Sequence, residues 1–503
     1  MKAFLMHESR DLDLAEPLPE NADDLIFDLE LGSLLEVMSD GDPLVAQMAK
    51  RVLLRGLDDP SAIGYRQAVL ADCLDNRETI SELYQLARDG VNAERRVWGL
   101  PATSADSVLH RAIQVMDLFV GILRRLRSIT DKAAGGFGSA GFRRFFEMVS
   151  DELDDEYFKT VEAHLKELRF PKGVLISARL GRGNTATDYV LRRPEKRRLL
   201  EKLSDRRRTA YSFEVPLRDE AGMEALGELR SQGVNHVANA LAQSVDHVRS
   251  FLTLLAAELA FYIGCINLKR RLSEKGEPLC TPTPTPPGQS SLEAKGLYDA
   301  ALSLHLDRPV VGNDLAADGK RLIVITGANQ GGKSTLLRAI GQAQLMMQSG
   351  MFVAAHDFTA SVTAGVFTHY KREEDATMES GKLDEELRRM QGIVRRIRAG
   401  CLLLCNESFA STNEREAAEI NRQVLGAMKD SGVRVVLVTH LYDLAQSLYR
   451  ERAPDTTFLR AERGEDGRRP YKIREGEPLA TSFGADTYQS VFGKSASRPP
   501  PPG

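Results

Sequence analysis

The segment that decides the fold of this chain is residues 327–334, which read Gly-Ala-Asn-Gln-Gly-Gly-Lys-Ser. It matches the pattern G-x-x-x-x-G-K-[ST] at every defined position. Residues 321–326 form a β-branched apolar run that predicts a buried strand, and residues 335–340 predict a helix. In this context the backbone N–H groups of the loop and of the helix N-terminus surround phosphate oxygens. The sequence therefore predicts a phosphate-binding loop.

Two side chains at the end of this loop predict its ligand. Lys333 is placed to reach the β- and γ-phosphates of a nucleoside triphosphate. The hydroxyl of Ser334 is placed to bind Mg²⁺. We therefore expect ATP and Mg²⁺ as cofactors.

Composition limits the class of protein. The 503 residues suggest two to four domains, and the net charge of −4 means that any DNA contact needs a local basic patch. The five cysteines lack zinc-site spacing, which predicts a reduced, cytoplasmic setting. No signal peptide is apparent, and no apolar run looks long enough to span a bilayer. A soluble, helix-rich protein is expected.

The part of the chain before residue 280 is predicted to be mainly helical. Residues 28–127 and 142–168 carry helical apolar patterns, and residues 223–275 carry an apolar seam with spacings of four and three. A helix of about 50 residues spans roughly 75 Å. It could pack along other helices of the chain or form a dimeric coiled coil, and the first is favoured because the other helical segments also need partners.

A basic cluster lies between two predicted strands, residues 173–180 and 211–215. It consists of Arg192, Arg193, Lys196, Arg197, Arg198, Arg206, Arg207 and Arg208. One interpretation is a solvated helix face with Glu195, Glu201 and Asp205 as partners. The other is a patch that contacts DNA phosphates.

Two further strands are predicted to end beside the phosphate-binding loop. Residues 401–405 lead into Asn406 and Glu407, and residues 433–438 lead into Thr439 and His440. In an open α/β sheet, ligands bind at the carboxyl ends of the strands. We expect Glu407 to polarise the attacking water and His440 to sense the γ-phosphate.

Asn406 is unusual, because an aspartate normally stands here and holds Mg²⁺ through its water shell. Asparagine keeps an oxygen acceptor but lacks the charge. Weaker metal binding and slow hydrolysis are therefore expected.

Residues 327–335 resemble the G-P-N-M-G-G-K-S-T segment of the MutS family, the mismatch-recognition ATPases. Further family segments have similar counterparts at residues 311–315, 350–355, 406–413, 438–441 and 481–484. The resemblance covers about residues 296–492. More loosely, residues 34–76 resemble the start of the MutS core and residues 223–275 its long lever helix.

The resemblance implies an α/β P-loop NTPase domain of the ABC type, preceded by a mainly α-helical core and lever region with a long helix. The expected divisions are a helical region at 1–280, a proline-rich linker at 281–295, the ATPase at 296–495 and a disordered tail at 496–503. The expected nucleotide-binding residues are Gly327, Asn329, Gly331, Gly332, Lys333, Ser334 and Thr335. The expected catalytic residues are Lys333, Glu407 and His440, and those near Mg²⁺ are Ser334 and Asn406.

In the family two ATPase domains pair, and each donates a serine-bearing loop to the nucleotide of the other. Ser380 occupies the corresponding interval, and its alternative role is an ordinary helix cap. The chain also departs from the family. The aspartate is Asn406, the loop after Glu407 has lost its glycines, and the chain begins almost at the core, which leaves no room for a mismatch-recognition domain. Residues 145–147 fit the Phe-x-Glu wedge pattern, but their apolar helical context predicts core.

The first functional hypothesis is an ATP-hydrolysing DNA-binding protein of the MutS type. It would act as an ATP-driven dimeric clamp, a homodimer, on double-stranded or structured DNA in mismatch repair or recombination. The alternative is a slow or inactive ATPase that serves as an ATP-gated protein-interaction switch. A transporter-type ATPase is weaker, since neither a membrane span nor a complete L-S-G-G-Q motif is apparent.

Overall fold

The computed structural model describes residues 1–96, 104–171, 173–193, 214–216, 218–372, 381–463 and 469–479. Its α-helices are, in chain order, α1 (Ala22–Asp28), α2 (Leu31–Ser39), α3 (Pro43–Leu54), α4 (Pro60–Asp75), α5 (Arg77–Arg96), α6 (Ala105–Ala133), α7 (Ala140–Glu152), α8 (Asp155–Leu168), α9 (Glu220–Glu274), α10 (Ala300–His305), α11 (Lys333–Gln348), α12 (Lys382–Val394), α13 (Glu414–Asp430) and α14 (Tyr442–Glu451).

The strands of the described residues form three sheets. They are β1 (Leu175–Leu180), β2 (Ala186–Arg192), β3 (Thr283–Thr285), β4 (Leu292–Leu297), β5 (Asn313–Ala316), β6 (Leu322–Gly327), β7 (Asp357–Ser361), β8 (Val366–Tyr370), β9 (Leu402–Asn406), β10 (Arg434–Val438), β11 (Thr456–Ala461) and β12 (Ile473–Glu475). The six-stranded sheet has the order β12-β11-β6-β10-β9-β8, the four-stranded sheet has the order β3-β7-β4-β5, and β1 pairs with β2.

The six-stranded sheet carries the strands that the sequence predicts beside the phosphate-binding loop. Strands β8, β9, β10, β6 and β11 are parallel, and only β12 is antiparallel to its neighbour. All residues of β8 and β10 are buried, which is typical of a parallel sheet that is covered on both faces. Helices therefore precede an α/β region, as predicted, while the assignment of that region to the ABC-type fold stays a prediction.

The chain divides into two compact units. The first comprises Met1–Ala3, Glu78–Phe137 and Phe142–Ala256, and the second comprises Phe4–Arg77, Gly138–Gly141 and Ala257–Gly503. In the first unit Phe145 is fully buried on α7, with its ring 5.7 Å from that of Phe146. The prediction of core for residues 145–147 is confirmed for the two phenylalanines, whereas Glu147 is exposed. The domain boundaries proposed from the sequence stay predictions.

Helix α9 confirms the predicted long helix, and it corrects one expectation. By length and composition alone, its most apolar 18-residue segment is able to cross a membrane. The expectation that no apolar run is long enough to span a bilayer is therefore wrong on those criteria. However, 78% of this segment is buried within the protein, as in the core helix of a soluble protein. The seam positions from Val234 to Tyr262 are mostly buried, whereas Met223, Leu226 and Leu229 near the start of the helix are exposed.

Two segments differ from their predicted structure. Part of the predicted proline-rich linker forms β3, which pairs in parallel with β7. Strand β1, predicted at residues 173–180, pairs with β2, a strand that was not predicted and that follows it after a short turn with Gly183 at a φ of 71°. Pairing across so short a connection is favoured because closing a short loop costs little entropy. Of the other predicted strand, residues 211–213 lie outside the described residues.

Glu258 in the second unit anchors the N-terminal segment. Its Oε2 accepts a hydrogen bond of 2.8 Å from the Leu5 amide, and only 1% of the residue is exposed. Burial raises the pKa of Glu258 from 4.5 to about 7. Between pH 4.5 and about pH 7 the folded protein therefore keeps a proton on Glu258 that the unfolded chain has lost. The contribution of protonated Glu258 to the free energy of unfolding is fully present below pH 4.5 and is lost as the pH rises through 7.

Replacing Glu258 with Gln keeps the acceptor for Leu5 and removes the ionisation. From pH 5 to pH 8, the free energy of unfolding should fall by about 1–3 kcal/mol less in Glu258→Gln than in the wild type. Urea unfolding at the two pH values measures this difference. Glu274→Gln, an exposed change on the same helix, is the matched control. Equal pH dependence of the wild type and Glu258→Gln would contradict the raised pKa.

Candidate nucleotide-binding site

The phosphate-binding loop lies between β6 and α11, as predicted. Three of its residues have positive φ: Gly327 at 110°, Gln330 at 60° and Gly332 at 91°. Gly332 is the N-cap of α11, so the loop leads directly into the N-terminus of that helix. This places backbone N–H groups and the positive end of the helix dipole around one point.

Gly331 shows why the loop needs a residue without a side chain. A Cβ atom at this position would lie 2.8 Å from the Ala328 carbonyl oxygen and 2.8 Å from Ala461 Cβ. We expect Gly331→Ala to weaken ATP binding about tenfold, because the loop must move away from its phosphate-binding shape. Equilibrium binding of a fluorescent ATP analogue measures this. Gly426→Ala on α13, where a Cβ meets nothing within 4 Å, is the matched control and should bind as the wild type does.

Lys333 lies folded back onto the loop. Its Nζ donates hydrogen bonds of 2.9 Å to the carbonyl oxygens of Gly327 and Ala328, and the residue is 5% exposed. Burial lowers the pKa of Lys333, while the charge of Glu407 opposes this effect. The ammonium group is thus held where phosphate oxygens would replace carbonyl oxygens as its acceptors.

The register of the sheet brings the predicted metal-binding residues together. Val438 of β10 lies opposite both Ile325 of β6 and Asn406 of β9. Ser334 Oγ donates a hydrogen bond of 2.9 Å to Asn406 Oδ1. Two oxygen ligands this close together fit a magnesium ion that keeps most of its water ligands. Both side chains are uncharged, so this pair supplies little of the negative charge that Mg²⁺ prefers.

Glu407 and His440 lie side by side at the same edge. His440 Nδ1 is 3.8 Å from Glu407 Oε2, and both side chains are partly exposed. The contact with His440 lowers the pKa of Glu407, against the opposing effect of burial. Glu407 has a φ of 52°, and its amide donates to the Val438 carbonyl oxygen at 2.9 Å. The carboxylate is therefore ionised near neutral pH, as a base that activates water must be.

The loop after Glu407 shows how this chain accommodates its lost glycines. Phe409 has a φ of 60°, in the left-handed region that favours glycine. Its ring is fully buried with its centroid 5.1 Å from that of His369, whose Nδ1 is 2.8 Å from Ser408 Oγ. Burial of an aromatic ring offsets backbone strain of about 1–2 kcal/mol.

Two positively charged residues near the site were missed from the sequence. Lys371 follows β8, and its amide donates to the Asn406 carbonyl oxygen at 2.9 Å. The charge of Lys371 also contributes to the lowered pKa of Glu407. Arg469 lies close enough to Lys333 to lower its pKa further. The strand before Lys371 has only a weak local signal, since residues 366–370 include the polar Thr368 and His369.

A cavity of about 580 Å³ lies beside these residues and is lined in part by Ser334, Arg338, Tyr370, Lys371 and Asn406. A volume of this size fits within the range of small-ligand sites. Asn329 is exposed and Thr335 is partly buried at the start of α11.

The remaining predicted residues are not part of this arrangement. Ser380 lies outside the described residues, as do Arg197, Arg198, Arg206, Arg207 and Arg208. Arg192 donates through Nε to Ser177 Oγ at 2.9 Å, and Arg193 forms an exposed ion pair with Glu167. These two arginines have local partners, but Glu195, Glu201 and Asp205, the partners that the solvated-face interpretation expects, lie outside the described residues. Both interpretations of the cluster stay predictions.

Comparison with known proteins finds two matching family models. Residues 58–275 match the MutS2 N-terminal domain, and residues 323–490 match MutS domain V. The second match contains Lys333, Asn406, Glu407 and His440.

Curated relatives are similar over part of the chain. An Endonuclease MutS2 of Thermus thermophilus is 32% identical over 180 residues, and the match covers 31% of this chain and 24% of that protein. An Endonuclease MutS2 of Lacticaseibacillus casei is 29% identical over 225 residues, 42% of this chain and 28% of that protein. A DNA mismatch repair protein MutS of Chloroflexus aurantiacus is 28% identical over 168 residues, 32% of this chain and 17% of that protein. The chain thus spans about a quarter of the length of the first two relatives.

Proposed function

Because this chain belongs to the MutS family, we propose that it binds and hydrolyses ATP with Mg²⁺ at the edge formed by β6, β9 and β10. The observation that carries this proposal is the convergence of Lys333, the Ser334–Asn406 pair and the Glu407–His440 pair on one sheet edge. Convergence of a phosphate-binding loop, a carboxylate and a polar metal contact is the arrangement that hydrolysis of a nucleoside triphosphate requires.

Each residue of this edge has a proposed part in the reaction. The loop amides and Lys333 hold the β- and γ-phosphates, which neutralises charge that builds up as the terminal bond breaks. Glu407 orients the attacking water and accepts its proton, and His440 holds the Glu407 carboxylate in place and contacts the γ-phosphate. Mg²⁺, when bound beside Ser334 and Asn406, supplies charge stabilisation between the phosphates.

The proposed biological role is a DNA-associated one in repair or recombination, in the cytoplasm, with ATP binding driving a conformational change in a homodimer. The names of the relatives, an endonuclease and a mismatch repair protein, support a DNA-associated role. Donation of Ser380 to the γ-phosphate of a partner would explain why such a protein dimerises when ATP binds. Mismatched DNA and branched DNA are both candidate substrates of this role.

A second candidate function is an ATP-gated switch with little turnover. The observation that favours it is the neutral Asn406 hydrogen-bonded to Ser334, where a carboxylate would hold the metal more tightly. Such a protein would bind ATP, change its conformation and release partners only slowly.

The DNA role is tested by fluorescence anisotropy with labelled homoduplex, mismatched and branched DNA. Each is titrated with protein in the absence of nucleotide, with ADP and with a non-hydrolysable ATP analogue. We expect affinity for at least one DNA to change several-fold between nucleotides in the wild type and to be insensitive to nucleotide in Lys333→Ala. Failure of all three DNA molecules to bind at low salt would leave the switch as the remaining proposal.

The basic cluster is tested in the same assay. Replacing Arg197, Arg198, Arg206, Arg207 and Arg208 with Ala should weaken DNA binding and flatten its dependence on salt, since each phosphate contact releases about one counterion. Arg270→Ala together with Arg271→Ala, at the exposed end of α9, is the control. An unchanged affinity and salt slope would assign the cluster to a solvated surface.

A further inference from the structure

A second cavity lies at the opposite ends of two strands that carry the nucleotide site. It has a volume of about 800 Å³ and is lined by residues at the amino ends of β8 and β9, whereas Tyr370 and Asn406 are at their carboxyl ends. Its walls come from the N-terminal segment, the end of α3 and the loops at residues 362–366 and 396–401, all within the second unit. The volume is that of a small-molecule site.

The lining of this cavity carries a net positive charge, whereas the whole chain carries a net negative charge. Its lining contains six arginines and three carboxylates, in a protein with a net charge of −4. The arginines are Arg10, Arg51, Arg55, Arg66, Arg396 and Arg398. They come from separate segments of the sequence, so the fold rather than a local basic run gathers them. Arginine presents planar pairs of donors that suit carboxylate and phosphate groups.

Several of these arginines are held rigidly. Arg66 is 2% exposed and donates to the carbonyl oxygens of Met6 and Ser349. Arg51 and Arg55 contact backbone carbonyl oxygens of the N-terminal segment, and Arg55 also pairs with Glu16. The buried Nε of Arg51 has no hydrogen-bond partner among the described residues. A buried donor without a partner costs free energy unless a ligand or water satisfies it.

Two further arginines remain available. Arg10 and Arg398 are exposed and form no ion pair or side-chain hydrogen bond with the described residues. Close by, burial and the charges of Arg66 and Arg10 lower the pKa of His7 to about 4. His7 is therefore neutral at pH 7, and the lowered value agrees with a positive potential in the cavity.

The rest of the lining is apolar. Leu12, Leu25, Leu345 and Phe367 contribute to the wall. Surfaces of this kind bind the nonpolar body of a ligand, while a few charged groups set its orientation. A bare inorganic ion would leave most of the volume and all of this apolar surface unused.

We propose that this cavity binds a small organic anion, whose phosphate or carboxylate group contacts Arg10, Arg51 and Arg398 and whose apolar body lies against Leu12 and Phe367. The site is separate from the nucleotide site and does not depend on the proposed ATPase function. Because both sites border β8 and β9, occupation of the cavity is positioned to influence the edge that carries Asn406.

Calorimetric titration of the full-length protein with phenyl phosphate tests the proposal. Saturating MgADP keeps phenyl phosphate out of the phosphate-binding loop. A parallel titration uses Lys333→Ala, in which the loop has lost the side chain that is proposed to hold the phosphates. We expect one equivalent to bind in both cases. The double variant Arg10→Ala/Arg398→Ala should bind at least about tenfold more weakly, because each arginine supplies a charge-assisted hydrogen bond.

Arg395→Ala is the matched control, since Arg395 is an exposed arginine of the same loop region that does not line the cavity. It should bind within about twofold of the wild type. Benzoate and phenyl phosphate distinguish the two ligand classes. Tighter binding of benzoate than of phenyl phosphate indicates a carboxylate ligand, and the reverse order indicates a phosphate ester. Inorganic phosphate is the third probe and lacks the apolar body. Absence of saturable binding for all three probes overturns the proposal. Equal binding of phenyl phosphate by the wild type and the double variant also overturns it.

Discussion

Replacing Glu407 with Gln is expected to lower steady-state ATP turnover by about 100-fold or more while ATP affinity changes by less than about threefold. Glutamine has nearly the same shape and keeps an oxygen near His440, but it cannot accept a proton from the attacking water. General-base catalysis typically contributes about 10²–10⁴-fold to a rate. The lowered pKa of Glu407 means that the wild-type carboxylate is ionised across the neutral range, so the effect should be similar from pH 6 to pH 8.

Glu419→Gln is the matched control for this variant. Glu419 is exposed on α13, where its carboxylate pairs with Arg422. It should hydrolyse ATP at the wild-type rate. If Glu407→Gln retained wild-type turnover, the catalytic base would have to lie elsewhere, and the joint assignment of Glu407 and His440 would fall.

Replacing Asn406 with Asp is expected to strengthen Mg²⁺ binding by about 10–100-fold, as measured by the Mg²⁺ concentration that half-saturates ATP hydrolysis. Groups that orient the water ligands of a metal commonly change its affinity by about this factor. The new carboxylate keeps an acceptor for Ser334 Oγ and adds a negative charge beside the ion. Turnover at low Mg²⁺ should rise accordingly.

Asn413→Asp provides the comparison. Asn413 caps α13 by accepting a hydrogen bond of 3.0 Å from the Glu416 amide, and aspartate caps a helix equally well. The same amide-to-carboxylate change is thus made at the start of α13, seven residues after the end of β9, without altering the proposed metal contact. No gain in Mg²⁺ affinity for Asn406→Asp over Asn413→Asp would show that Asn406 does not contact the ion through its water shell.

The site at the carboxyl ends of β6, β9 and β10 was predictable because each of these strands has a local signal in the sequence. Buried parallel strands appear as uninterrupted apolar runs, and ligands bind at their carboxyl ends. Residues 321–326, 401–405 and 433–438 therefore located β6, β9 and β10, and with them Ser334, Asn406 and Glu407. The order of these strands in the sheet, with β10 between β6 and β9, follows from tertiary packing.

Lys371 and Arg469 were missed because their relevance depends on that packing. Lys371 lies at the site only because β8 pairs with β9, so that Tyr370 lies opposite Asn406. Arg469 precedes β12, which pairs with β11 beside β6, and its charge acts on Lys333. Neither proximity has a counterpart in local sequence patterns.

The proline-rich segment shows a different limit of composition. Proline disfavours helix, and the segment is indeed extended, but Thr283–Thr285 pairs with β7 at the edge of the four-stranded sheet. An edge strand tolerates proline because only one side of its backbone must pair. Composition thus identified the conformation of this segment but not its partner.

Steady-state ATP hydrolysis by the purified wild-type protein, with Lys333→Ala as the blank, tests the central claim most directly. It is measured alone and with homoduplex, mismatched and branched DNA. We expect turnover above the blank that depends on Mg²⁺ and changes with at least one DNA. Turnover at the level of the blank in every condition, with ATP still bound, would contradict hydrolysis and establish the nucleotide-gated switch. Absence of ATP binding would contradict the assignment of the site itself.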